Sequence, residues 1–311
     1  MTPQSAHLPA VSDEVRRALG AGRPVVALES TIFTHGLPRP RNLAIAREAE
    51  EILRAAGVVP ATTGVVAGVP TVGLSDAGIE RLCTADGVAK ASVRDLPAAI
   101  ATGRDAGTTV AATAHLAHLA GIQVFATGGL GGVHHGARTS FDESADLVTL
   151  ARTPVTVVSA GVKSVLDIGA TLERLETLSI PVVGYRTRSF PGFYVADSGH
   201  GIDTSAESPE EIAAMIRARD ALGLRSALLV ANPVPRDRQL DPELHERVLA
   251  EAWDAAARAG VSGAATTPFL LDHIRRATGG RSLDVNAEIY RNNVTVGAEI
   301  ARALRTPGAP A

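Results

Sequence analysis

The chain has 311 residues, of which 45% are hydrophobic, and this is enough for one large domain or two small ones. Its formal net charge of −3 at pH 7 argues against binding to nucleic acid or to a membrane surface. Aromatic residues make up only 3% of the chain, so a base would be recognised by polar groups rather than by stacking. The single cysteine, Cys83, excludes intrachain disulfides, and no signal peptide or membrane-length apolar run is found, so we expect a cytoplasmic protein.

The N-terminal part begins with a polar tail, residues 1–11, which we expect to be flexible. Residues 12–22 are typical of a helix, because Ser12 can cap its N-terminus and Gly20 lies near its end. The next stretch, PVVALEST at 24–31, is apolar and β-branched, and this predicts a buried strand.

A carboxylate, Glu29, stands at the tip of this predicted strand. It could be a structural acid that is satisfied by a neighbouring helix, or a general acid or base with an altered pKa. Ser30, Thr31, Thr34 and His35 follow directly and could form the polar wall of a pocket, which favours the catalytic interpretation.

Helices and short strands then alternate. The pattern predicts an amphipathic helix at 39–57, two short strands joined by a turn at 61–74, and helices at 75–85 and 108–121. Lys90 and Arg94 lie near the end of a strand and just before a helix. Two cations there could bind a phosphate or could be a solvated pair.

The most informative stretch is 122–168. It opens with a buried strand, IQVFAT, followed directly by TGGLGGVHHG from Thr127 to Gly136. Five glycines in these ten residues allow the backbone to approach an anionic ligand and to offer N–H groups to it. The spacing matches neither a dinucleotide-binding loop nor a P-loop, so the loop alone leaves ligand binding open.

Acidic side chains follow this loop at Asp142, Glu143 and Asp146. Carboxylates grouped in this way suit Mg²⁺ or Mn²⁺. The alternative is a solvated helix start, in which Ser140 caps the helix and Glu143 completes a capping box.

A second buried strand, PVTVVSAG, leads to Lys163, which we expect at the N-terminus of a helix. The helix dipole opposes a cation there, and apolar neighbours would further lower the pKa of the amine and make it a nucleophile. The alternative is a surface lysine. Catalytic groups of open α/β sheets lie where strands end, and this stretch contains two such ends.

The C-terminal half continues the alternation with strands at 180–190 and 226–235, the second of which ends near Asn232. Between them, residues 189–208 are rich in Gly, Ser and Pro and are typical of a long loop or lid. A capped helix follows at 208–223.

The last predicted helix, 282–305, carries Asn286 and Asn293 two turns apart on one side. These amides could be solvated or could reach into a site. With strands and helices alternating throughout, we predict an α/β protein: a single three-layer α/β/α sandwich with a mostly buried, mixed central sheet. We expect one domain at 12–305, followed by a C-terminal tail at 306–311.

Several ordered blocks together resemble the pseudouridine-5′-phosphate glycosidases, also called the indigoidine-synthase-A-like family. These blocks are PVVALESTIFTHGLPRP, VAKASVRDLP, FATGGLGGVHHGA, FDESADL, VVSAGVKSVLD, VANPVP and TPFLL. They extend over about residues 12–305, nearly the whole chain. The resemblance implies a cytoplasmic homotrimer with an α/β/α core. It also implies a reversible reaction in which pseudouridine 5′-phosphate and water give uracil and ribose 5-phosphate.

The resemblance further implies roles for single residues. Lys163 matches the nucleophile that forms a Schiff base with the opened ribose, and Glu29 matches the general acid/base. Asp146 matches the ligand of one Mn²⁺ per subunit, whose other ligands are mostly waters. Substrate-binding positions are matched by Lys90, Val110, Thr127, His134, Ser144 and Asn286, of which the last would read uracil.

Two features depart from the family pattern. His135, Arg138 and Thr139 differ from the residues expected after His134, which could change the affinity for phosphate. The 189–208 segment matches the family least and could set substrate access.

Three rival classes use some of the same residues. A Schiff-base aldolase acting on a phosphosugar would need the lysine and the acid but no base pocket, so it would not release uracil. A sugar kinase would need a GAGD-like anion hole, which we do not find in the sequence. A non-catalytic nucleotide-binding protein would have no need of Glu29, Lys163 and Asp146 together.

Overall fold

The structure is a computed structural model that describes residues 9–261, 263 and 266–305. Its strands are β1 (Ala10–Val11), β2 (Val25–Leu28), β3 (Val59–Val66), β4 (Val69–Val72), β5 (Ala89–Ala91), β6 (Ala106–Thr108), β7 (Val124–Ala126), β8 (Thr156–Ser159), β9 (Val182–Tyr185), β10 (Thr204–Ala206) and β11 (Leu228–Ala231). Its α-helices are α1 (Asp13–Gly20), α2 (Thr31–Thr34), α3 (Arg41–Ala55), α4 (Asp76–Thr84), α5 (Leu96–Ala101), α6 (Val110–Leu119), α7 (Ala137–Ser140), α8 (Ala145–Leu150), α9 (Ile168–Thr177), α10 (Pro209–Ala221), α11 (Pro242–Arg258), α12 (Thr266–Ala277) and α13 (Arg281–Arg305). A 3₁₀ helix, Val93–Asp95, precedes α5.

The larger part of the sheet is parallel, with strands in the order β3, β2, β7, β8, β11, β9 and β10. Leu28 of β2, for example, pairs with Thr62 of β3 on one side and with Ala126 of β7 on the other. Because these strands run in the same direction, their carboxyl ends meet along one edge, where open α/β sheets bind ligands.

Strand β3 connects this parallel part to a smaller, mixed part. Its first half pairs with β2, whereas its second half, from Thr63 to Val66, pairs antiparallel with β4. Strand β6 pairs antiparallel with the same half and carries β5 in parallel. The predicted mixed sheet is therefore confirmed.

The sheet extends further toward the N-terminus than predicted. Ala10 and Val11 form β1 and pair in parallel with β4, so regular structure begins before residue 12. Residues 1–8 and 306–311 of the predicted tails lie outside the described residues.

Alternate residues of the parallel strands face two separate apolar cores. Val25 and Ala27 belong to the core that packs under α1, α6, α8, α9, α11 and α12. Val26 and Leu28 belong to the core that is covered mainly by α3, α4, α10 and α13. A sheet that is covered on both faces requires this period of two. The predicted α/β/α sandwich is confirmed, and no described helix combines the length and apolarity needed to cross a membrane.

Serine caps begin several helices where the sequence predicts them. Ser12, Ser75 and Ser208 each accept a hydrogen bond from a backbone N–H of the following turn. The start predicted at Ser140 is wrong: Ser140 ends the short helix α7, and Ser144 caps α8.

The helix predicted to begin at Lys163 also starts later: α9 begins at Ile168, and Asp167 caps it. Val162 instead forms a parallel bridge with Leu130, which keeps this stretch beside the loop that follows β7. The strands β6 and β10 were not predicted, since their sequences, AGT and TSA, lack the apolar run that marks a buried strand.

Candidate active site

Polar residues follow neighbouring strands at the carboxyl edge of the parallel sheet. Glu29 comes directly after β2, Thr127 directly after β7 and Asn232 directly after β11. Lys163 lies in the loop that follows β8. Because β2, β7, β8 and β11 are adjacent in the sheet, residues distant in sequence converge here.

Glu29 is the buried acid of this edge, with only 7% of its surface exposed. The hydroxyl of Thr127 donates a hydrogen bond to its Oε1. Burial raises the pKa of Glu29 above its ordinary value, whereas the charge of Lys163 and the hydrogen bond from Thr127 oppose this rise. A carboxyl group with a raised pKa can hold and release a proton closer to neutral pH, as a general acid/base must.

Of the 30 lysine and arginine residues in the chain, only two are lysines, Lys90 and Lys163. Both lie close enough for their charges to act on Glu29. Desolvation and the charge of Lys163 lower the pKa of Lys90, although part of its side chain remains exposed. A phosphate would relieve the repulsion between the two amines. This scarcity of lysine is a sequence signal that could have marked both residues at once.

Lys163 is half-buried, and its backbone is held by the neighbouring glycine-rich loop. The backbone N–H of Lys163 donates to the carbonyl oxygen of Leu130, 3.1 Å away, next to the bridge between Leu130 and Val162. The glycine-rich loop and the Lys163 loop therefore run alongside each other. This contact, rather than a helix N-terminus, holds the backbone that carries the amine.

Three glycines of the 127–136 loop, Gly129, Gly131 and Gly132, are required by close neighbours. A Cβ on Gly129 would lie 2.6 Å from Cε2 of Phe193, and a Cβ on Gly131 would lie 2.8 Å from Oδ2 of Asp146. Any larger residue at either position would move the loop or its neighbour.

Asp146 connects this loop to the start of α6. Its Oδ1 accepts a hydrogen bond from the N–H of Ala111 at 2.9 Å, and its Oδ2 accepts one from the N–H of Gly131 at 2.8 Å. The residue is 6% exposed. A carboxylate is stabilised at a helix start by the dipole and by N–H donors, so Asp146 holds the two backbone segments together.

Val110 and Ser144 lie next to this contact. Val110 is the first residue of α6, and its N–H has no acceptor among the described residues. A free N–H at a helix start is suited to a phosphate oxygen. Ser144 caps α8 by accepting a hydrogen bond from the N–H of Asp146 at 3.2 Å.

His134 lies at the outer part of the loop, where its Nδ1 is 3.8 Å from Oδ2 of Asp142. The backbone N–H of His134 also donates to the carbonyl oxygen of Asp142 at 3.0 Å. The neighbouring His135, which departs from the family pattern, packs edge-on against Trp253 of α11 with the ring centroids 4.9 Å apart.

Asn286 approaches the same loop from α13. Its Oδ1 lies 3.5 Å from the position that a Cβ on Gly128 would occupy. The amide of Asn286 makes no hydrogen bond to another described residue, so it is available to a ligand. Asn293, two turns later, is fully buried and bonds to the protein backbone instead.

The 189–208 segment packs against the site. Phe190, Phe193 and Tyr194 are all buried, and the rings of Phe193 and Tyr194 are in edge-to-face contact at 4.8 Å. A Cβ on Gly161 would lie 2.8 Å from the ring of Phe190. The segment is thus a loop that is anchored by its aromatic residues, and it also contains β10.

Of the two cations predicted near β5, only Lys90 faces the other charges of the site. Arg94 has an 87% exposed side chain and forms an ion pair with Asp95 at 3.6 Å. The solvated alternative is therefore the correct one for Arg94.

Residues 14–303 match the family described as indigoidine synthase A like protein. The chain belongs to this family. It is 72% identical to the pseudouridine-5′-phosphate glycosidase of Saccharopolyspora erythraea over 96% of the chain and 98% of that protein. It is 62% identical to the same-named protein of Salinispora tropica, over 93% of the chain and 90% of that protein.

Two solved structures of the family fold are also similar to the chain, each at 37% identity. One is a prealnumycin C-glycosynthase in complex with ribulose 5-phosphate, with a TM-score of 0.90 over 96% of this chain and 98% of that one. The other is an indigoidine synthase A-like protein of Thermotoga maritima, with a TM-score of 0.86 over 95% and 96%.

The donor set of this family member suits, at most, a metal ion that keeps most of its waters. In the part of the chain that the structure describes, no three His, Cys, Asp or Glu side chains come together as a metal site. Asp146 has an N–H donor on each oxygen, but each oxygen keeps a second lone pair. Asp142 is the more open carboxylate, with 42% of its side chain exposed.

Proposed function

We propose that this family member cleaves the C–C glycosidic bond of pseudouridine 5′-phosphate reversibly to give uracil and ribose 5-phosphate, as part of pseudouridine breakdown. The observation that carries the proposal is the buried Glu29, whose pKa is raised and whose carboxyl lies within reach of the charge of Lys163. The names of the similar glycosidases and of the C-glycosynthase support the same reaction type.

The chemistry explains why a lysine accompanies a single acid. The leaving group is carbon, so protonation of a leaving oxygen by one of two paired carboxylates would not help. We propose that the amine of Lys163 forms a bond to C1′ while the bond from C1′ to the ring oxygen breaks. That oxygen takes a proton from Glu29.

The nitrogen, an ammonium after the attack, returns a proton to Glu29. Its lone pair then forms the imine as the bond between C1′ and C5 of uracil breaks, and the electron pair of that bond stays on C5, which takes up the proton from Glu29. Water finally hydrolyses the imine, releasing ribose 5-phosphate and the free amine. Glu29 is able to serve these proton transfers, because burial holds its pKa above the ordinary value.

Substrate binding is assigned to the groups around this pair. Lys90 and the free N–H of Val110 suit the phosphate, with His134 and Ser144 at the edge of the loop. Thr127 is proposed to bind the sugar in addition to bonding Glu29. Asn286 is proposed to pair with uracil, because an amide presents both a donor and an acceptor.

The Mn²⁺ ion is a further proposal. Asp146, or the more open Asp142, would hold it with waters as the remaining ligands. When bound, the ion would supply positive charge for the phosphate and hydroxyl oxygens of the sugar.

We also propose that the protein works as a homotrimer in the cytoplasm, so light scattering should give three times the chain mass of 32.0 kDa.

The test is to incubate the protein with ribose 5-phosphate and Mn²⁺, reduce with borohydride, and map the labelled peptide by mass spectrometry. With only two lysines in the chain, an adduct can be assigned cleanly, and we expect it on Lys163. Lys163→Arg is the matched control, since it keeps the positive charge but cannot form the imine.

Uracil separates the rival classes. If the enzyme is a glycosidase, added uracil suppresses the adduct, whereas an aldolase is unaffected. Release of uracil from pseudouridine 5′-phosphate without any adduct would refute the Schiff base but not the substrate. The absence of both would indicate a non-catalytic binding protein.

A further inference from the structure

None of the proposed chemical steps uses Asn293, a side chain of α13 with no exposed surface. Its Nδ2 donates hydrogen bonds to the carbonyl oxygens of Thr127, at 2.7 Å, and Gly128, at 3.2 Å. Its Oδ1 accepts a hydrogen bond from Nδ2 of Asn232 at 2.9 Å. One side chain therefore joins the ends of β7 and β11 to the last helix.

The partners determine which way this amide points. The two carbonyl oxygens can only accept, so they must face the NH₂ group of Asn293. Asn232, which is also buried, supplies the donor for the remaining oxygen. Every polar atom of the Asn293 side chain is thus engaged, and a buried network that is fully satisfied holds one arrangement.

This network leads directly to the acid. Thr127 accepts from Asn293 through its carbonyl group and donates to Glu29 through its hydroxyl group. The same helix carries Asn286, which lies over Gly128 two turns earlier. The hydrogen bonds from Asn293 to Thr127 and Gly128 therefore fix Glu29 relative to α13, the helix that also carries Asn286.

We propose that Asn293 is a positioning residue of the active site. Through the carbonyl groups of Thr127 and Gly128, it holds the Thr127 hydroxyl against Glu29 and holds Asn286 over the glycine-rich loop. Asn232 assists by orienting the amide of Asn293. The inference rests on the proposed function only for the identity of the substrate.

The titration of Glu29 reports on this arrangement. The hydrogen bond from Thr127 lowers the pKa of Glu29, so displacing Thr127 should raise that pKa further. The other groups whose charges interact with Glu29 are Lys163, Lys90, Asp146 and Tyr290. Asn293 makes no hydrogen bond to any of these groups, so a change transmitted by Asn293 should pass through Thr127.

The test variant is Asn293→Leu, which keeps a similar size and adds no charge but removes the donor and the acceptor. We expect kcat for uracil release to fall by roughly 100-fold, as for a displacement of about 1 Å at a reacting group. We also expect the pKa of Glu29 to rise. This pKa is measured by ¹³C NMR of side-chain-labelled glutamate, and the Glu29 signal is assigned by its loss in Glu29→Gln. Thr127→Val should raise it too, and the double variant should add no further rise.

Asn292→Ala is the matched control. Asn292 is the adjacent residue of α13 and donates to the carbonyl oxygen of Pro233 at 3.1 Å. It makes no hydrogen bond to Thr127 or Gly128, so wild-type kcat and an unchanged Glu29 titration are expected.

Two outcomes decide the proposal. A folded Asn293→Leu protein with wild-type kcat and an unchanged Glu29 titration would overturn it. If that variant does not fold, Asn232→Ala replaces it, and a smaller rise in the same pKa is expected, with no rise counting against the proposal. If the wild-type protein releases no uracil, the proposed function fails, while the Glu29 titration still decides the role of Asn293.

Discussion

Replacing Gly131 with alanine tests whether close packing of the glycine-rich loop sets the geometry of the site. The new Cβ would lie 2.6 Å from Cβ of Ser144 and 2.8 Å from Oδ2 of Asp146. Neither neighbour can yield easily, because Ser144 caps α8 and Asp146 is bonded to Ala111 and to Gly131 itself. The loop must therefore shift.

Overpacking of this kind costs about 1–3 kcal/mol. With an unfolding entropy of about 2.1 cal/mol/K per residue, a chain of 311 residues gives roughly 0.65 kcal/mol/K. The expected fall in Tm is therefore about 2–5 °C. A loop shift of about 1 Å would also lower kcat by roughly 100-fold, because Gly131 is bonded to Asp146 and the preceding Leu130 is bonded to Lys163.

Scanning calorimetry and uracil release measure the two effects. Gly128→Ala is the matched control for Tm, because its Cβ would meet no atom closer than 3.5 Å, which is an ordinary contact. Its Tm should stay within about 1 °C of the wild-type value. Equal Tm values for the two variants, with wild-type kcat in Gly131→Ala, would refute the packing argument.

Other predictions concern buried groups. Because burial raises the pKa of Glu29 above its unfolded value near 4.5, the unfolded chain loses that proton first, and stability falls as pH rises from there through the folded pKa. Glu29→Gln has no such proton to lose, so its Tm relative to the wild-type Tm should increase over this pH range. A difference in Tm that does not change with pH would contradict the raised pKa of Glu29. In calorimetric titrations with Mn²⁺, binding heat should disappear in Asp146→Asn or in Asp142→Asn; heat retained in both would place the ion elsewhere. Burial raises the pKa of the Cys83 thiol to about 12, so a thiol reagent at about pH 8 should react only after unfolding.

The strand ends of the site could be predicted from the sequence because each is marked locally. Glu29 and Thr127 interrupt apolar, β-branched runs, and a parallel sheet brings such interruptions to one edge. Caps such as Ser12 and Ser208 were predictable for the same reason, since the donor that they satisfy lies within one turn.

The remaining features depend on contacts between distant residues. Ser140 and Ser144 both precede acids, and the choice between them is supported by the bond from the N–H of Ser144 to the carbonyl oxygen of Gly132 at 2.9 Å. The role of Asp146 at α6 joins residues 35 positions apart. Lys163 was placed at a helix start because local patterns do not reveal that its backbone pairs with Leu130.

The last helix also has a consequence for how the chain is made. Glu29 and Asn293 are 264 positions apart, so at about 5–20 residues per second a ribosome needs roughly 15–50 s to make the second after the first. During that interval, the face of β2 and β7 that α13 later covers remains open, including Val26 and Ala126, which lie within 4 Å of where a Cβ on Gly297 would stand. The nascent chain therefore has an unprotected apolar surface and no complete catalytic centre, and both conditions end together when α13 docks.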